Sequence, residues 1–112
     1  MSPLVPSFVT FNVAGQRFTT TRDTLLKEPS SRLAMLVRGV LPCIKDDAGA
    51  VFLDRDSKYF QLMLNYLRDG WCSLPTSANE RRELLREVRW YQVGAAAVSQ
   101  SRQTGFSSIY NS

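Results

Sequence analysis

The stretch that most narrows the possible folds runs from Val51 to Gly70, VFLDRDSKYFQLMLNYLRDG. A short apolar run ends at an acid-base-acid triplet, Asp54-Arg55-Asp56, and a helix-patterned segment begins shortly after it. Phe60, Met63, Leu64 and Leu67 recur there at three- and four-residue spacing, flanked by Tyr59 and Tyr66. That spacing lines one face of a helix. Asp56 or Ser57 is placed to cap its start, and Gly70 follows its end. Strand, charged corner and amphipathic helix form a central unit, with Phe52 and Phe60 assigned to the core.

Before this unit, residues 1–7 with Pro3 and Pro6 read as a lead-in. Val9, Phe11 and Val13 then alternate with Thr10 and Asn12, the period of a strand with one buried face. Ala14-Gly15-Gln16 is a turn in which Gly15 permits positive φ, and Arg17 to Thr21 resume β-favouring residues, giving a hairpin. Thr21 or Asp23 caps a short helical turn through Leu25 and Leu26, which stops before Pro29. Ser30 is the expected cap of a second helix, with Leu33, Leu36, Val37 and Val40 as its apolar stripe and Met35 at the edge of the core. Leu41 to Gly49 reads as a loop. Its apolar Leu41 and Ile44 need a partner, either the domain itself or another chain. Ala50 to Leu53 is the strand of the central unit.

After it, Trp71 to Pro75 cross to a last helix that starts at a capping box, Ser77-Ala78-Asn79-Glu80. Leu84, Leu85, Val88 and Tyr91 make its apolar face, and Gly94 closes it. Ala95 to Val98 add one weak turn, and residues 95–112 are polar and serine-rich, as in a tail or linker. The domain proper is 8–94.

A chain of 112 residues that is 44% hydrophobic suffices for one core. Its apolar runs fall far short of the roughly 20 residues that cross a bilayer, so no membrane insertion is expected. The N-terminus has neither the basic nor the long apolar region of a signal peptide, which points to the cytoplasm and, as a second compartment, the nucleus. Cys43 and Cys72 stand in different segments without CxxC spacing and read as free thiols. Histidine is absent. The commonest general base and transition-metal ligand is therefore missing, and no metal or cofactor is expected.

The net charge is +4, with Arg81, Arg82, Arg86 and Arg89 gathered in the last helix. Glu80, Glu83 and Glu87 interleave with them at pairing distance, so this reads as a solvated face, and nucleic-acid binding is a minor alternative. Arg55 between Asp54 and Asp56 favours ionised, paired carboxylates over an acid-base pair. A lone Gly15 followed by a strand makes no phosphate loop. No catalytic constellation emerges, and the chain reads as a non-enzyme.

The order of elements and three motifs, FNVAGQRFTTT, LDRD followed by Phe60, and Leu64-Asn65-Tyr66-Leu67-Arg68, together resemble the BTB/POZ fold in its short T1 form. That form is shared by the KCTD family and the T1 domains of voltage-gated potassium channels. The resemblance covers Phe8 to Val93 and leans to KCTD. It implies an α+β fold, with a small three-stranded sheet and four or five helices packed against it. It also implies homo-oligomerisation, pentameric in many KCTD proteins and tetrameric in channels. In many KCTD proteins the domain further recruits cullin-3 as a ubiquitin-ligase adaptor, with substrates bound elsewhere in the protein; other members scaffold receptors or transcription factors without cullin.

Three departures accompany the resemblance. Ala14 replaces the first glycine of a usual pair, which argues against positive φ there. Val37 stands where an aromatic residue is usual. The His-plus-Cys zinc pattern of some channel domains is absent. For the subunit interface the candidates are Asp54, Arg55, Asp56 and Arg68. For the partner they are Val40, Leu41, Ile44 and Trp71, with intramolecular packing of Trp71 the alternative.

Overall fold

The structure, a computed structural model, describes residues 8–94. The expected lead-in of residues 1–7 and the tail beyond Gly94 lie outside the described residues. β1 (Phe8–Val13) and β2 (Gln16–Thr21) form the hairpin, in register from Val13 opposite Gln16 to Phe8 opposite Thr21. Ala14 has φ 49° and Gly15 φ 102°. Two central residues at positive φ match the twist of paired strands, so Ala14 adopts the glycine-like conformation despite its Cβ. The turn is held by Ala14 N–H donating to Leu53 O (2.9 Å) and Gly15 N–H to Asn12 Oδ1 (2.7 Å).

The short helix α1 (Arg22–Leu26) is capped by Thr21, whose hydroxyl accepts from Thr24 N–H at 3.0 Å. The second helix, α2 (Arg32–Val37), is capped by Ser31 and not by Ser30. Ser31 N–H bonds to Glu28 O, extending the turn around Pro29 by one residue, and the fully buried hydroxyl accepts from Ala34 N–H. Because α2 stops at Val37, the apolar stripe is cut short. Leu33 and Ala34 are buried, Leu36 and Val37 half-buried, and Val40 exposed.

Where a plain loop was expected, the two-residue strand β3 (Ile44–Lys45) pairs antiparallel with β4 (Val51–Leu53). β4 in turn lies parallel to β1, giving a four-stranded mixed sheet of order β2-β1-β4-β3. Asp46 explains the extra strand. One of its carboxylate oxygens accepts from Asn12 Nδ2 (2.9 Å) and an Arg17 guanidinium nitrogen (2.8 Å), the other from Ala48 and Ala50 N–H. The turn after β3 is thereby tied to β1 and β2.

These bonds, Asn12 foremost, hold the Asp46 carboxyl far below its ordinary value of 3.8. A depressed carboxylate contributes stability that is present above the unfolded value and lost as pH falls below it. Stability of the wild-type domain should therefore decline below about pH 4 more steeply than that of Asp46→Asn in acid-dependent denaturant titrations. Parallel curves would remove Asp46 from this role.

α3 (Phe60–Asp69) follows the charged corner, and α4 (Ala78–Tyr91) closes the domain. α3 has no side-chain cap: Asp56 instead accepts from Lys58 N–H, and Ser57 O accepts from Phe60 N–H. Gly70, at φ 85°, ends it. At α4 the Ser77 hydroxyl accepts from Glu80 N–H, while the Glu80 carboxylate meets Lys58 at 3.3 Å. The core centres on Phe60, fully buried, with ring centroids of Phe11, Phe18 and Tyr91 at 5.5, 4.8 and 5.5 Å. Phe52 is only half-buried, because alternation along β4 turns Val51 and Leu53 inward and Phe52 to the other face.

Candidate functional site

The charged corner divides its three residues. Asp54 and Asp56 are exposed, while Arg55 turns inward and forms a two-pronged pair with Glu87 of α4, Nε to Oε1 at 3.1 Å and a terminal nitrogen to Oε2 at 3.0 Å. Parallel N–H···O bonds of this kind fix orientation as well as supply energy. The Glu87 side chain is 6% exposed. The Arg55 guanidinium also stacks 4.8 Å from the Trp90 ring centre, and that of Arg32 stands 4.4 Å from the same ring while its Nε donates to Trp90 O. Two cations on one indole hold Trp90 in place.

The acids of α4 thus do not serve mainly as partners for the helix arginines. Glu87 is buried against Arg55, Glu83 accepts from the Tyr59 hydroxyl at 2.7 Å, and Glu80 pairs with Lys58. The Tyr59 hydrogen bond is the main cause holding the Glu83 carboxyl below its ordinary value. The acidic side of α4 fastens the start of α3 and the corner before it.

Beside the corner lies an open groove of about 360 Å³, lined among others by Leu41, Ile44, Phe52, Asp54, Arg32 and Trp90. It joins two partner candidates, Leu41 and Ile44, to one interface candidate, Asp54. Ile44 is 71% exposed and Val40 55%, whereas Leu41 is half-buried. Trp71, 61% exposed, does not line this groove and follows the C-terminal cap of α3. The four apolar candidates are therefore not one patch.

The remaining interface candidates lie along β2. Arg68, exposed in the last turn of α3, donates to Thr19 O and Asn65 Oδ1, both at 3.3 Å. Next to Asp56, Ser57 donates to Gln16 Oε1 at 3.0 Å. Arg68 thus stands at the β2 edge of the sheet, and Asp54 at the opposite, β3 side. With an apolar floor, one carboxylate and one guanidinium, the groove has the composition of a recognition surface. Among the described residues no helix is long and apolar enough to cross a membrane.

The sequence matches the BTB/POZ domain family over residues 9–101. This chain belongs to the BTB/POZ family. Over 85 residues it is 40% identical to the BTB/POZ domain-containing protein KCTD21 of Homo sapiens and of Mus musculus, covering 76% of this chain and 33% of each relative. It is 43% identical over 90 residues to the FH protein interacting protein FIP2 of Arabidopsis thaliana, covering 78% of this chain and 30% of that protein. The chain spans about a third of the length of these relatives. The KCTD relatives agree with the branch that its motifs indicate, and the BTB/POZ domain is a self-association and adaptor module.

Within this BTB/POZ domain, sequence reasoning missed Trp90 and Glu87. A signal for Trp90 existed: it precedes the buried Tyr91 and falls off the Leu84, Val88, Tyr91 stripe, so an indole on the arginine-rich side required an explanation. Glu87 gave none, because its partner lies thirty-two residues away.

Proposed function

We propose that this BTB/POZ domain assembles into a closed homo-oligomeric ring, a pentamer, and acts in the cytoplasm and nucleus as a non-enzymatic adaptor. In this reading it recruits cullin-3 to a ubiquitin ligase, while substrates bind regions outside this chain. The observation that carries the reading is the opposition of charge across the sheet, with Arg68 at the β2 edge and Asp54 on the β3 side. A head-to-tail contact brings unlike surfaces together and closes into a ring when the rotation allows. Arg68 of one copy would then face Asp54 of the next, with Arg55 bracing the Asp54 corner from behind and Asp56 remaining on the β2 side beside Arg68. Val40 and Ile44 supply exposed apolar contacts for cullin-3, and Trp71 a second contact on a different part of the surface.

Light scattering tests assembly, and a monomer at micromolar concentration would sink the ring. Arg68→Asp and Asp54→Arg are each expected to dissociate it, and the double variant to restore it, which no merely structural role would do. A tetramer would favour the channel-type T1 assembly domain instead. Titration with the cullin-3 N-terminal domain tests recruitment, with Ile44→Asp expected to weaken binding at least about tenfold while leaving subunit number unchanged. An intact oligomer that fails to bind would leave a scaffold without cullin.

A further inference from the structure

We infer that Glu28 is a latch that fixes the main chain at Gly94, just after α4, to the segment between α1 and α2. Glu28 lies between α1 and α2, far in sequence from α4. Its carboxylate nonetheless accepts from Gly94 N–H at 2.6 Å, across sixty-six residues, and from the Tyr66 hydroxyl of α3. Three separate elements therefore meet on one side chain. This goes beyond the adaptor reading and holds whether the domain is a ring or a monomer.

The bond to Gly94 is not part of closing α4. That helix is already ended by Gln92 N–H donating to Arg89 O and Val93 N–H donating to Val88 O, with Gln92 in the left-handed region. Val93 is fully buried, so the chain is held up to that point by packing. Gly94 comes next, with φ 82°. Its N–H is taken by Glu28 alone among the described residues. The main chain at Gly94 is thus held from the α1–α2 loop.

The position is an unfavourable one for a carboxylate, which argues for a specific role. Burial raises the Glu28 pKa, outweighing the bonds from Gly94 and Tyr66. The C-terminal end of α4 carries partial negative charge that also opposes it. Around it, Tyr66 is pushed up to about 12, chiefly by burial, and Cys72 up to about 11 for the same reason. Lys27 beside it donates instead to Arg68 O at 2.9 Å, and Glu28 and Tyr66 share a shallow surface depression with Lys27, Arg68 and Asp69. Glutamine keeps an accepting oxygen without the charge, so it preserves the latch; alanine does not.

The test uses the 112-residue chain and amide exchange with ¹⁵N relaxation. In Glu28→Ala, exchange at Gly94 should accelerate at least about tenfold relative to Gly70. Its order parameter should fall from about 0.85 toward 0.6. Glu28→Gln should stay close to wild type in both. The inference is overturned by unchanged Gly94 behaviour in Glu28→Ala, or by equal acceleration at Gly70 and Gly94, which would mark a global loss of stability. It is overturned equally if Glu28→Gln releases Gly94 as fully as alanine does.

Discussion

Arg55→Ala is expected to lower the unfolding free energy by about 3 kcal/mol, because it leaves the Glu87 carboxylate buried without its partner. This is the lower end of the usual range for a broken buried pair, since the Arg55 side chain remains 24% exposed. Loss of the contact with Trp90 adds to the effect. Urea denaturation at fixed protein concentration measures it, the concentration mattering because assembly stabilises the folded subunit by mass action. Replacing both partners, as Arg55→Met with Glu87→Leu, should recover most of the loss, since an apolar pair avoids desolvating two charges. If Arg55→Ala unfolds like wild type yet dissociates, the arginine serves the subunit interface and not the fold. Equal stability and equal assembly would remove it from both roles.

Phe60→Ala is the other large effect, about 3–5 kcal/mol from lost burial and the cavity left behind. Phe60 is where the sheet, through Phe11 and Phe18, meets α4 through Tyr91, so its removal separates three ring contacts at once. That is a large share of the total for a domain of this size. Phe60→Leu retains most of the volume and should cost less than half as much. A thermal midpoint unchanged by Phe60→Ala would contradict the placement of the core.

Much of the fold was legible because it rests on local periodicity. The alternation around Phe11, the three- and four-residue spacing after Phe60, and Gly70 as a helix stop each depend on neighbours a few residues apart. Ser31 displaced Ser30 as a cap because the turn at Pro29 runs one residue further, a difference that adjacent serines cannot announce. β3 was illegible for a different reason. Two residues carry no period, and the strand exists because Asp46 reaches Asn12 and Arg17 across the sheet. The site suffered most from this limit. The corner triplet stood out in the sequence, but which of its members points inward depended on Glu87 and Trp90, which no short spacing connects to it.

The parallel pairing of β1 with β4 has a kinetic consequence. Everything from Ala14 to Ala50 lies between the two strands, so the hairpin forms from local contacts while the centre of the sheet waits for a long loop to close. During synthesis β1 emerges well before its second neighbour and meanwhile presents an unpaired strand edge, a known route to aggregation. Changes that slow the α1–α2 segment from folding should therefore lower the yield of soluble protein more than they lower the stability of the finished domain.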